Sequence, residues 1–184
     1  KLSGSKYVQS EISSVYPMIK EDLLSAKNVL FSGTGCQIAA IRNYLPKDFN
    51  NLICVEVVCH GVPAPGLFKK YIKWLSQKGN APVLKYQFRS KCERPTGEHS
   101  KYYYETSNGL NSGYSYEDPY YGSFLCGSIL RNSCYKCSFK GRLRSGDITI
   151  GDFWGIEKTN SKINTDSGIS LVMINTEKGN RMFE

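Results

Sequence analysis

Apolar residues recur at helical spacing across residues 11–26, at Ile12, Val15, Ile19, Leu23 and Leu24. That three-and-four step puts one apolar stripe on a helix. NVLFSG, 28–33, is a short apolar run closed by glycine and predicts a strand. CQIAAIRNYL, 36–45, returns to helical spacing and ends at Pro46. LICVEVVCHG, 52–61, is almost continuously apolar and rich in valine, the pattern of a strand covered on both faces. GVPAPG is a turn. LFKKYIKWL, 67–75, is periodic again, and Gly79 stops it. The order is α-β-α-β-α. Short buried strands alternating with helices predict an α/β fold, a Rossmann-like parallel sheet with flanking helices.

The middle of the chain changes character. VLKYQFRS, 83–90, alternates and predicts a strand. KYYYETSNGLNSGYSY, 101–116, predicts a Tyr-rich β-hairpin insertion turning at Ser-Asn-Gly. Its tyrosines read as sheet packing rather than as a stacking platform. PYYGSFLCGSIL, 119–130, is helical in pattern, NSCYKCSFKGRLRSG is a Cys-rich loop, and DITIGDFWG begins with a strand. NSKINTDSG is polar and loop-like. ISLVMINT, 169–176, predicts a last strand with a helix after it. There is no internal repeat. Residues 1–184 read as a single domain, and the absence of an initiator Met suggests a fragment of a longer chain.

Composition narrows the function classes. At 184 residues and 40% hydrophobic the chain can bury a real core. No run approaches the roughly 18 apolar residues of a membrane helix, and no secretion signal is present, so no membrane span and a cytoplasmic, reducing setting are expected. The net charge of +8 points to anionic partners. It is densest at Arg131, Lys136, Lys140, Arg142 and Arg144, a run that also suits an ordinary solvated face. Nothing matches the spacing of common nucleic-acid modules, so no nucleic acid is expected. Seven cysteines are many and odd in number. Without a secretion signal they are metal-bound or catalytic rather than a disulfide framework.

Cys134 and Cys137 form a CxxC whose thiolates reach one metal or one another. A redox dithiol would follow a strand and open a helix, whereas this pair lies in a basic loop, so a metal or cluster is favoured. Zinc and a cubane cluster each need four ligands. Cys36 follows the first strand of the sheet and Cys59 ends the second, and ligands bind outside the carboxyl ends of such strands. If the strands are neighbours, about 4.8 Å apart, the two thiols converge. The set is then Cys36, Cys59, Cys134 and Cys137, with iron–sulfur preferred and zinc still open. Cys54 reads as strand core, Cys126 as helix core, and Cys92 has no evident role. CQIAAIR is also a C-x5-R string, but a helix-forming QIAAI cannot wrap a phosphate. A Cys36–His60 thiol–imidazole pair is the remaining competitor. The SGTG turn lacks the third glycine of a dinucleotide fingerprint.

GSKYVQS with FSGTGCQIAAIR, then CHGVPAP, then SCYKCSFKGRLRSGDITIGDFWG together resemble the C-terminal domain of the coenzyme F-420 hydrogenase/dehydrogenase beta-subunit family, from Gly4 to about Gly155. The resemblance implies an iron–sulfur flavoprotein with a 4Fe–4S cluster on Cys36, Cys59, Cys134 and Cys137, and a flavin such as FAD. Electrons would come from a donor protein or ferredoxin-like domain and leave to a small-molecule acceptor. The nearest flavin contacts would be Ser32, Gly33, Thr34, Gly35 and Gln37 of the first turn and His60 and Gly61 of the second. Lys140, Arg142 and Arg144 would meet the pyrophosphate or an acidic substrate. The family usually has GTPCQ, and Gly35 departs from it. The competing reading is a metal-stabilised, non-catalytic interaction module.

Three further readings concern single residues or pairs. Asp147 and Asp152 lie an odd number apart on a strand and so face opposite ways; each anchors a loop. Trp154 suits either core packing or stacking on an isoalloxazine. Glu56, inside a buried strand, must pair with a cation, because buried carboxylates seldom stand alone.

Overall fold

A computed structural model describes residues 6–90, 101–159, 163–164 and 168–184. Cys92 and most of NSKINTDSG lie outside them. The chain forms two compact units, one of residues 11–60 with 137–184 and the other of residues 1–10 with 61–136.

The first unit is built on a four-stranded sheet in the order β1-β2-β6-β7. Helix α1 (Val15–Leu24) leads to β1 (Val29–Thr34), α2 (Gly35–Tyr44) and β2 (Leu52–Val57); β6 (Ile148–Asp152), the short α6 (Ile156–Thr159), β7 (Ser170–Ile174) and α7 (Glu177–Phe183) complete it. β1, β2 and β6 are parallel, as the alternation of strands and helices requires, and β7 closes the edge antiparallel. The core joins Ile19 and Leu23 of α1 to Ile38 and Ile41 of α2 over Phe31, Leu52 and Cys54. Phe31 and Cys54 are paired in register, so they share a face.

β2 was expected to be covered on both faces. Instead Leu52, Cys54 and Glu56 are buried, Ile53 and Val55 are half-buried, and Val57 is exposed. Leu30, Ile150, Val172 and Ile174 are exposed too. The valine-rich run reflects β propensity as well as burial.

The second unit holds α3 (Pro65–Lys78), an antiparallel sheet of β3 (Val83–Gln87), β4 (Lys101–Thr106) and β5 (Gly109–Tyr114), α4 (Pro119–Leu125) and the four-residue α5 (Asn132–Tyr135). β4 and β5 pair from Lys101↔Tyr114 to Thr106↔Gly109, the hairpin read from the sequence. Its tyrosines join a continuous aromatic cluster. Tyr71 stacks on Trp74 and Tyr120, and Tyr86 meets Phe68, Phe88 and Tyr102. At the centre lies Asp118, fully buried. Its Oδ2 accepts the Tyr71 and Tyr86 hydroxyls at 2.5 and 2.6 Å, and its Oδ1 accepts the Tyr121 N–H at 2.7 Å, capping α4. Cys126, expected in a helix core, is the exposed C-cap of α4, because that helix stops at Leu125. Asn132–Tyr135, expected to be loop, is one helical turn.

Burial makes the molecule sensitive to base. It pushes the Cys54 thiol up to about 11. It pushes the Tyr120 phenol up to about 12, helped by the Asp118 charge. Tyr71 and Tyr86 are raised as well, by burial first and then by their bonds to Asp118. A raised folded-state pKa favours the protonated form in the native state, so the stability it represents is complete below the unfolded pKa and is lost as pH climbs to the folded one. Stability is therefore expected to fall from about pH 9, where the thiol of the unfolded chain begins to ionise, and more steeply above about pH 10, where free tyrosines do. Urea titrations from pH 8 to 11, with tyrosinate absorbance followed in parallel, check this. Normal phenol titration in the native state would contradict it.

Candidate cysteine and cofactor site

β1 ends at Thr34, and its register partner on β2 is Val57. Cys36 lies two residues past the first and Cys59 two residues past the second, so both thiols stand at the carboxyl edge of the sheet at equivalent steps. Both are exposed. α2 begins immediately, at Gly35, because Gln37 Oε1 reaches back 3.0 Å to accept the Thr34 N–H. This is half of a capping box. The Thr34 hydroxyl lies 3.2 Å from Cys36 Sγ. Tyr16 borders the same turn and donates to the Gln37 carbonyl at 3.2 Å. Its phenol is raised, mainly by burial and then by the nearby Cys36.

Cys137 is half-buried at the start of the loop that runs to β6. Two residues on, Phe139 packs against Gly35; a Cβ built on Gly35 would fall 3.1 Å from Phe139 Cβ. That approach ties the Cys137 arm to the residue next to Cys36. Cys134, in α5, belongs to the other unit, as does Gly61. Gly61 adopts φ +132°, and a Cβ there would lie 2.7 Å from Leu130 and 3.4 Å from Cys134 Cβ. Only glycine combines that dihedral with that proximity. Cys134 Sγ is 3.9 Å from the Val62 carbonyl. Among the described residues no three of His, Cys, Asp and Glu are gathered as the ligands of one metal ion would be.

The other anticipated contacts differ in exposure. Ser32 is exposed, Gly33 is half-buried against the Gln37 side chain, and His60, Lys140 and Arg142 are exposed. Gln37 is spent on the Thr34 N–H. Arg144 corrects an expectation. Its side chain is only 9% exposed and forms a 2.5 Å ion pair with Glu56. It also donates to the Phe139 and Gly141 carbonyls. Glu56 thus has the cation its burial required, and Arg144 is not a surface anion-binding group.

Asp147 does anchor a loop. It is 1% exposed, pairs with Arg42 at 3.1 Å, and accepts the Cys54 N–H at 2.8 Å and the Thr176 hydroxyl at 2.9 Å. Arg42, the arginine of the C-x5-R string, is therefore committed away from Cys36. Asp152 is exposed at the end of β6. Trp154 is 79% exposed, with Phe153 at 40% beside it, which overturns core packing for the tryptophan and leaves an open aromatic face beyond the carboxyl end of β6. The Thr34 bond to Cys36 was not anticipated. A Thr two residues before Cys36 was the available signal.

A family model for the C terminus of the coenzyme F420 hydrogenase/dehydrogenase beta subunit matches residues 26–184. Among solved structures, the fold resembles a chain of the xenon-derivatised F420-reducing [NiFe] hydrogenase complex from Methanosarcina barkeri, with a TM-score of 0.52 and 19% identity. The match covers 98% of this chain and 55% of that one. No curated protein matches.

Proposed function

The chain belongs to the family defined by the C terminus of the coenzyme F420 hydrogenase/dehydrogenase beta subunit, and from that premise we propose that it is an iron–sulfur flavoprotein domain of an oxidoreductase. Membership supports redox work in general terms. The observation that carries the finer reading is the strand register, which sets Cys36 and Cys59 at matching steps beyond the sheet edge. Cys134 and Cys137 are proposed to complete the set. The donors are all sulfur, as iron–sulfur ligation prefers. When bound, a 4Fe–4S cluster supplies one-electron transfer, and a flavin links single electrons to hydride.

The residues have separable tasks in this reading. The four thiolates hold the metal group. The Thr34 hydroxyl, 3.2 Å from Cys36 Sγ, would donate to that sulfur when it serves as a ligand. The SGTG and His60–Gly61 backbone forms the cofactor side of the edge. Exposed Lys140 and Arg142 offer positive charge to an anionic cofactor or to an acidic donor protein. Trp154 offers a face for a flavin ring.

Anaerobic purification with iron, sulfide and flavin analysis tests the proposal. The expected result is a broad band near 400 nm that dithionite bleaches, four irons per chain, and a flavin. One zinc and no visible colour would overturn it in favour of the metal-stabilised module. For the flavin, Trp154→Ala is expected to weaken binding about tenfold, the scale of one lost aromatic stack, and to relieve quenching of flavin fluorescence. Unchanged affinity and quenching would remove Trp154 from the site.

A further inference from the structure

Glu56 and Arg144 sit at the junction of two of the cysteine-bearing segments. Glu56 is fully buried on β2. Its Oε2 accepts the N–H groups of Ser145 at 2.8 Å and Gly146 at 3.0 Å, and its Oε1 meets Arg144 Nη2 at 2.5 Å. The Gly35 backbone lies against the same oxygen, so closely that a Cβ on Gly35 would fall 2.7 Å from it. The other terminal nitrogen of Arg144 holds the Phe139 carbonyl at 3.5 Å and the Gly141 carbonyl at 3.1 Å. One guanidinium therefore folds the loop that begins at Cys137 back onto the strand that leads to Cys59. The carboxylate it pairs with touches the residue before Cys36.

We propose that Glu56 and Arg144 are a positioning pair for the metal group: together they lock the Cys137 arm beside Cys36, and their opposite charges fix the local field there. This rests on reading those cysteines as ligands. Two physical arguments separate the roles. Locking needs the planar fork of arginine, one terminal nitrogen on the carboxylate and the other on the two carbonyls, a span that the compact ammonium of lysine does not make. Setting the field needs only the charges. Removing the carboxylate leaves a buried cation that favours the reduced cluster, and removing the guanidinium leaves a buried anion that disfavours it. The pair also explains Gly35. Any side chain there would press on the Glu56 carboxylate, which two backbone N–H groups and the Arg144 ion pair hold in place.

The test uses Glu56→Gln, Arg144→Met and Arg144→Lys in the 184-residue protein. In metal-free protein, alkylation of Cys137 is read by mass spectrometry, with exposed Cys126 as internal reference. Arg144→Met and Arg144→Lys are expected to speed Cys137 alkylation at least tenfold relative to Cys126. In reconstituted protein, the reduction equilibrium is expected to shift about tenfold toward the reduced form in Glu56→Gln and about tenfold the other way in Arg144→Met, or about 59 mV each for a one-electron couple. Arg144→Lys is expected to leave it near wild type. Loosening alone would move both potentials the same way, and that result, or unchanged Cys137 alkylation, overturns the proposal. If the wild type takes up no iron, the iron–sulfur reading fails, while the alkylation comparison still decides whether the pair positions Cys137.

Discussion

Asp118→Ala will cost the unit of α3, α4 and the three-stranded sheet about 3–7 kcal/mol, a large share of the roughly 5–15 kcal/mol that holds a typical domain together. The reason is the number of donors that one carboxylate satisfies. Two half-buried phenols, Tyr71 and Tyr86, and the Tyr121 N–H all point at it. Removing it deprives both half-buried phenols of their acceptor, at about 1–3 kcal/mol for each group left unsatisfied, and removes the α4 cap at about 1 kcal/mol. Asp118→Asn keeps acceptor oxygen and should fall between wild type and alanine. Urea denaturation measures both, with exposed Asp152→Ala as the control expected within about 0.5 kcal/mol of wild type. A drop below about 1 kcal/mol for Asp118→Ala would show that the phenols find other partners.

The second large effect falls on metal content. Cys36→Ser and Cys59→Ser are each expected to reduce bound iron to background while leaving the metal-free fold within about 0.5 kcal/mol of wild type, because both side chains are exposed. Cys54→Ser should do the reverse. Its thiol is fully buried in the core. A hydroxyl there has no partner and costs about 1–3 kcal/mol, yet iron uptake should survive. Iron analysis beside thermal melts distinguishes the two patterns. Full iron in either exposed-cysteine variant would remove that residue from the set.

Most elements were legible because they obey local rules. α2 announces itself through the helical spacing of CQIAAIRNYL and its stop at Pro46, and the hairpin through Ser107-Asn108-Gly109. Glu56 announced its cation by being charged within an apolar run. What sequence could not supply was the identity of that cation. Arg144 lies far along the chain in a run of basic residues, and charge spacing does not reveal which one turns inward. The same holds for Trp154, whose sequence environment favours core packing although the side chain is 79% exposed. The open face of the parallel sheet was hidden for a related reason. Valine and isoleucine satisfy both strand propensity and burial, so a continuous apolar run does not say how many faces are covered.

The sheet order also dictates when this edge can exist. β2 and β6 are neighbours, yet the chain leaves β2 at Val57 and reaches β6 only at Ile148. At a synthesis rate of about 5–20 residues per second, Cys59 emerges roughly 4–15 seconds, and Cys36 roughly 5–20 seconds, before Cys134. The pairing of β2 with β6 must also close a long loop, which makes it slow. During that interval two exposed thiols wait beside an unfinished sheet. Under the proposed ligand set, such a chain gains from metal delivery timed to late folding, after all four thiols have emerged.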